Sequence, residues 1–223
     1  MAFKRLQEQA YDHLRDMVLS GAFEPGIIYS ETKTAESLGV SRTPTRDALQ
    51  KLSHDGLIDI MPSKGFRIHQ LTQRDAVEIH QMRCAIEGYC VRLLAQQIHA
   101  PEAQRLLSGL TGLIDKQRMV MDNGEEVKNF VSLDFSFHMQ IINFARNDVF
   151  TETFRNQVYR IGIVATNALT KTARMQQSLT EHMKLLDVIK SGRPDDAYGA
   201  LLTHYQNLAQ MISASYSFIE SQA

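Results

Sequence analysis

Cysteine, net charge and long apolar runs are all scarce in this chain of 223 residues. The only two cysteines, Cys84 and Cys90, lie six positions apart in one predicted helix. That spacing turns them to different faces, which excludes an intrahelical disulfide and a Cys-rich metal site and fits a reducing compartment. The formal net charge is −1, and residues 1–70 carry 9 Lys+Arg against 9 Asp+Glu. Bulk charge therefore gives no sign of a nucleic-acid partner, and any basic surface has to be local. No apolar run approaches the roughly 18 residues of a membrane span, and the opening Met1-Ala2-Phe3-Lys4-Arg5 lacks the apolar segment of a signal peptide. A soluble, cytoplasmic protein is the expectation. With 43% hydrophobic residues, the chain has the material to bury a core in one or two domains.

The first part alternates helix signals with punctuation. Leu6, Ala10, Leu14, Met17 and Val18 recur at helical spacing, Gly21 stops the run and Pro25-Gly26 turns it. A short helix is predicted from Glu31 to Leu38 with Ser30 as N-cap. After the break at Gly39-Val40-Ser41, the next helix has Thr43 as its expected N-cap and Pro44 at its first position. It ends at Gly56. Two β-prone segments, Leu57–Met61 and Phe66–His69, flank Pro62-Ser63-Lys64-Gly65 and read as a hairpin. From Thr72, which forms a variant capping box with Asp75, only helical periodicity remains. Breaks near Pro101, Gly124, Asn147, Thr170 and Gly192 divide that region into about six helices, and the domain boundary falls near residue 71.

Helix, short helix, tight turn, helix and hairpin make a winged helix-turn-helix over residues 1–71. On its second paired helix, Thr45, Ala48, Leu49 and Leu52 share an inward face, while Arg42, Thr43, Arg46 and Gln50 occupy the helix start and the opposite face. A recognition helix needs this split, because its N-terminal residues reach base edges while the apolar face anchors it. Arginine suits the guanine O6/N7 pair or a bidentate grip on phosphate. Residues 33–51 carry Lys33, Arg42, Arg46 and Lys51 against Glu36 and Asp47, so the local balance is basic. Lys64 and Arg67 add charge to the hairpin, and Gly65 permits close backbone approach or positive φ. An amphipathic helix with ordinary surface arginines would show the same spacing.

The residues themselves go further. Gly39-Val40-Ser41-Arg42-Thr43-Pro44-Thr45-Arg46-Asp47-Ala48-Leu49-Gln50-Lys51-Leu52, followed by Asp55-Gly56-Leu57-Ile58, closely resembles the GntR family of bacterial regulators. The resemblance implies that Arg42, Thr43 and Arg46 contact double-stranded operator DNA and that Gly65 is the wing-tip glycine. One position departs from the family pattern: Ser30-Glu31-Thr32 stands where the family usually carries Ser-Glu-Arg. Lys33 is the nearest basic residue, and a point charge there replaces a planar fork.

The second part, residues 72–223, resembles the FCD (FadR C-terminal) domain, an all-α antiparallel helical bundle, through Met82-Arg83-Cys84-Ala85-Ile86-Glu87 and Glu181-His182-Met183-Lys184-Leu185-Leu186. About six helices suggest the shorter, VanR-like branch. Independently of resemblance, Asp134 and His138 interrupt the apolar stripe of Phe130, Ile141 and Ala145. His182 stands in register with Leu179, Leu185, Leu186 and Ile189, and His204 among Leu201, Tyr205, Leu208 and Ile212. A carboxylate facing a core is costly unless paired. Asp134 and His138, at i and i+4, project from one face. One carboxylate and three imidazoles suit a divalent transition metal such as Zn²⁺, Ni²⁺, Mn²⁺ or Fe²⁺, and the resemblance implies the same four ligands. His13, His54, His69, His80 and His99 are expected in ordinary satisfied or exposed roles.

These readings together describe a homodimeric transcription regulator, expected to act as a repressor, with a small carboxylate effector seated at the metal. Arg83 either clamps that effector or pairs with Glu87 at i+4, and Arg160 is a second candidate for the clamp. Two other readings use the same donors: a purely structural metal, and a small metallohydrolase for which the sequence supplies no well-placed general base.

Overall fold

The computed structural model describes the backbone of residues 2–19, 22–24, 26–169 and 172–220, and the side chains of residues 6–18, 22–24, 26–166, 169 and 173–207. The expected signals at Gly21, Pro25 and Thr170, and the stripe residues Leu208 and Ile212, lie outside the residues so described. The chain divides into two compact units, residues 1–71 and 72–223.

The first unit holds α1 (Ala2–Leu19), α2 (Glu31–Leu38), α3 (Arg42–His54), β1 (Ile58–Met61) and β2 (Gly65–Ile68). Ser30 caps α2 by accepting from the Lys33 N–H, and Gly39 closes it in the left-handed conformation at φ 64. Helix α3 begins at Arg42 with Ser41 as N-cap, two residues before the Thr43 cap expected from sequence. Pro44 then occupies the third helical position, where the missing N–H is equally harmless because the first turn has no intrahelical acceptor. Thr45, Ala48, Leu49 and Leu52 are buried as the stripe required, and α3 packs on α1 and α2. Strands β1 and β2 pair antiparallel with Ile58 opposite Ile68 and Met61 opposite Gly65. Phe66 exchanges both backbone hydrogen bonds with Tyr29, which ties the hairpin to the segment before α2.

The second unit is all helical: α4 (Gln73–Gln96), α5 (Pro101–Asp122), α6 (Val127–Phe144), α7 (Asp148–Asn156), α8 (Val158–Ala168), α9 (Thr172–Lys190) and α10 (Pro194–Glu220). The Thr72/Asp75 capping box opens α4, and Asn147 caps α7. Among its described residues the second unit thus holds seven helices where the breaks in sequence implied about six, and the count that pointed to the shorter branch does not hold. The extra division is at Gln157, which leaves helical geometry at φ −98, ψ 3 with neither glycine nor proline beside it. Helix α4 packs on α10 and α6, α5 on α6 and α9, and α9 on α10. The buried faces of α4, α5, α6, α9 and α10 enclose one polar cluster in an otherwise apolar interior. At Gly88 of α4, an added Cβ would lie 2.5 Å from the Tyr198 ring, so this glycine sets how closely α10 approaches. No helix among the described residues is long and apolar enough to cross a membrane.

Candidate functional site

Helix α6 buries Asp134 and His138 together, α9 contributes His182 and α10 contributes His204; all three histidines are at most 3% exposed and Asp134 is 5% exposed. One ring nitrogen from each histidine falls within 4.8 Å of the others. Asp134 joins them, its Oδ1 lying 3.4 Å from His182 Nε2 and its Oδ2 lying 3.9 Å from His138 Nε2. The His182 ring stacks on Phe137 with centroids 4.5 Å apart, which fixes its plane.

The other nitrogen of each ring is held from behind. His138 Nδ1 is 2.5 Å from Glu87 Oε2, His182 Nδ1 is 3.1 Å from Gln117 Oε1 and His204 Nδ1 is 2.7 Å from Glu181 Oε2. Each of these oxygens accepts, so each Nδ1 carries a proton and each Nε2 is the nitrogen left for the cluster. His138 Nε2 and His182 Nε2 are fully buried and have no hydrogen-bond partner. Two orphaned ring nitrogens beside a carboxylate are what a cation would satisfy, and the backing oxygens are the partners that orient metal-binding histidines.

Electrostatics follow the packing. Burial pushes His182 well below the ordinary histidine value, and His204, His138, Arg83 and Arg174 push the same way. Burial also lowers His204, although its bond to Glu181 opposes the shift. For Glu87, burial alone would raise the pKa; Arg83 and then His138 outweigh it and hold the group well below the usual carboxylate range. Glu181 is lowered against its burial by His204, Asn207 and Arg174.

Arg83 lies inside the bundle at 4% exposure. Its Nε donates to Glu87 Oε1 at 2.8 Å, it stacks over Tyr205 with 4.8 Å to the ring centroid, and its Nη2 is buried without a partner. The i+4 pair therefore forms and still leaves a donor free. Arg160 gives Nη2 to Asp75 of the α4 capping box and Nη1 to Gln157, and its Nε is buried without a partner. Among the other histidines, His13, His54 and His99 are exposed, His69 pairs with Asp59 and His80 faces Cys84. Sequence reasoning missed Gln117 and Glu181 as supports and weighed Glu87 only as a partner for Arg83. Gln117 was detectable as an amide in the apolar stripe of Leu113, Ile114 and Val120.

In the first unit, Arg42, Thr43 and Gln50 are exposed along α3, as is Lys33 on α2 and Lys64 at the wing tip. Arg46 is also exposed, and it meets Glu31 of α2 at 3.4 Å. Gly65 sits at φ +125, and a Cβ there would lie 1.9 Å from the Tyr29 carbonyl oxygen. Both the close approach and the positive φ are thus demanded by the chain's own backbone.

A winged helix-turn-helix joined to an all-helical unit with a buried polar cluster defines a DNA-binding regulator. The match to known families agrees: residues 6–68 match the gntR family of bacterial regulatory proteins, and residues 78–207 match the FCD domain. The chain belongs to the GntR regulators that carry an FCD domain, and it is a transcriptional regulator, not an enzyme. It is 28% identical over 199 residues to the HTH-type transcriptional regulator YdhC of Bacillus subtilis, covering 89% of this chain and 87% of that one. It is 23% identical over 207 residues to the HTH-type transcriptional repressor RspR of Escherichia coli, covering 93% and 89%. A GntR transcriptional regulator from Rhodococcus sp. RHA1 shares the fold with a TM-score of 0.73 at 22% identity, covering 94% of this chain and 98% of that one.

Proposed function

We propose that this regulator is a repressor whose operator affinity is set by a small organic acid bound at a divalent transition metal in the helical unit. Asp134, His138, His182 and His204 would hold the ion, with Glu87, Gln117 and Glu181 fixing the three rings. The observation that carries this reading is the convergence of three histidine nitrogens within 4.8 Å while every opposite nitrogen is hydrogen-bonded. Three imidazoles and one carboxylate favour Zn²⁺, Ni²⁺, Mn²⁺ or Fe²⁺ over the oxygen-seeking Mg²⁺ and Ca²⁺. Such an ion supplies a Lewis-acid seat for a carboxylate.

The chain's own groups do the rest. Arg83 offers its unpartnered Nη2 to the acid, and this spare donor favours a ligand-binding centre over a purely structural metal. Two copies of the chain would set two α3 helices in successive major grooves of a pseudo-palindromic operator. Arg42, Thr43 and Arg46 would face base edges and phosphates, while Lys33 and Lys64 would contact the backbone. An acid that binds the two arrangements of the bundle unequally shifts operator affinity, and operator DNA shifts acid affinity by the same factor.

Metal-loaded protein titrated with organic acids in a fluorescence-anisotropy assay on operator fragments tests this. Release of DNA by a bound acid is the expected result. Operator affinity that ignores every acid shown to bind would sink the sensing role, and protein that takes up no metal would sink the centre itself.

A further inference from the structure

Two buried arginines flank the histidine cluster with donors that nothing in the bundle accepts. Arg174 of α9 is 2% exposed. It gives Nη2 to Glu181 Oε2 at 3.2 Å, and its Nε and Nη1 are buried without a partner. Arg83 of α4 gives Nε to Glu87 and leaves Nη2 in the same condition. Each arginine is tied to the cluster through one carboxylate. Glu87 links Arg83 to His138, and Glu181 links Arg174 to His204. Both guanidinium charges also act on His182, the third ring of the cluster.

Buried guanidinium donors without acceptors are costly. Three such nitrogens on two arginines beside one cluster call for acceptors from outside the chain. A single carboxylate seated on the metal and clamped by Arg83 would leave Arg174 unanswered. Charge then limits what the second acceptor is. Arg83 and Arg174 are cationic, Glu87, Glu181 and Asp134 are anionic, and metal-bound histidines are neutral. With a divalent ion the buried site carries one net positive charge, which one carboxylate cancels. A second carboxylate would leave an uncompensated buried anion.

We infer that Arg174 is a second ligand-contacting residue, and that the effector is a monocarboxylate bearing a neutral oxygen at its far end. The carboxylate faces the metal and Arg83; the hydroxyl or carbonyl oxygen accepts from Arg174. This assignment rests on the metal-centred reading above and narrows it to one class of acid.

The test uses the full chain, first assayed for bound Zn²⁺, then titrated calorimetrically with three matched series of three- to six-carbon acids. These are straight-chain monocarboxylates, their terminal hydroxy derivatives and the corresponding dicarboxylates. The best hydroxy acid is expected to bind at least about tenfold more tightly than its plain and dicarboxylic counterparts. Arg174→Lys keeps a cation beside Glu181, and with it the charge balance of the site, and should erase that advantage while metal stoichiometry and plain-acid affinity stay constant. Arg174→Gln removes one of the two buried cations, so it should lose the advantage and also weaken plain-acid binding. Equal binding of hydroxy and plain acids by the unaltered protein, or an advantage that survives both substitutions, overturns the role of Arg174 and leaves the metal reading standing. A preference for dicarboxylates overturns the ligand class. Absence of metal uptake overturns the metal reading itself, and this inference with it.

Discussion

Glu87 on α4 and His138 on α6 meet at 2.5 Å, fifty-one positions apart in sequence, with neither side chain exposed to solvent. The carboxylate accepts, so Nδ1 carries a proton and the ring is oriented with Nε2 toward His182 and His204. Arg83 holds the other carboxylate oxygen, so the acid stays ionised despite its burial. Replacing Glu87 with Gln keeps the shape and removes the charge that orients the ring. Metal affinity should fall about 10- to 100-fold, the usual effect of losing such a support, as read by competition with a chromogenic chelator. Unchanged affinity would mean that the pair serves packing alone.

Removal of metal should expose how much of the helical unit depends on it. A ligand present at 100 times its dissociation constant stabilises the folded state by about 2.7 kcal/mol. For a chain of this size that corresponds to roughly 5–10 °C in Tm. Treatment with a chelator should lower Tm by that order, and added Zn²⁺ should restore it. In His182→Ala neither treatment should move Tm. A chelator-insensitive melting curve in the unaltered protein would contradict the centre.

Without metal, stability should fall with acid in two stages. His182 and His204 are depressed below the ordinary histidine value of 6.5, chiefly by burial. The unfolded chain therefore takes up protons that the folded chain refuses, and stability drops as pH falls below about 6.5. The slope is at most about 1.4 kcal/mol per pH unit for each histidine. Glu87 and Glu181 are held below their ordinary 4.5, so their contribution persists above that pH and is lost as the folded-state values are crossed below it. Urea titrations of chelated protein between pH 5 and 8 should resolve the first stage; a flat response would refute the burial of neutral imidazoles.

Legibility from sequence tracked how local each determinant is. Ser30, Gly39 and Gly56 act within a few residues, so the winged helix-turn-helix could be read directly. The start of α3 was displaced because Ser41 and Thr43 both suit an N-cap, and only the fold selects Ser41. Asp134, His138, His182 and His204 were visible as polar interruptions of apolar stripes, a one-dimensional signal of burial. Their supports were harder to assign. Glu87 looks like half of an i+4 ion pair until α6 is placed beside α4, and the partner of Gln117 lies on α9. The break at Gln157 carries no glycine, proline or capping signal, so nothing local announces it. Nothing in the sequence singles out Arg174, and only packing shows it enclosed.

On the DNA side, the exposed cations should separate by role. Arg46→Ala is expected to cost about 1–3 kcal/mol and relax specificity at one base position, because a bidentate base contact is lost. Lys64→Ala should weaken all sequences alike and reduce the salt dependence of binding by about one unit of slope. Anisotropy titrations at several salt concentrations, on cognate and single-substituted operators, distinguish the two patterns. If Arg46→Ala behaves like Lys64→Ala, then Arg46 grips phosphate.

Gly65 offers a test in which stability and DNA binding give different answers. A glycine whose only duty was to let a wing approach DNA could become alanine with little effect on the free protein. Here the residue lies at φ +125, and an added Cβ would sit 1.9 Å from the Tyr29 carbonyl oxygen. The Tyr29–Phe66 hydrogen bonds next to it join the hairpin to the segment that caps α2. Relief of the clash must disturb that bridge, and the positive φ alone costs a non-glycine residue about 1–3 kcal/mol. Gly65→Ala should therefore destabilise the winged unit by about 2 kcal/mol or more in the absence of DNA, with hydrogen exchange of the Phe66 amide accelerated and metal binding unchanged. A variant that melts like the parent protein, yet binds operator poorly, would return Gly65 to the DNA interface alone.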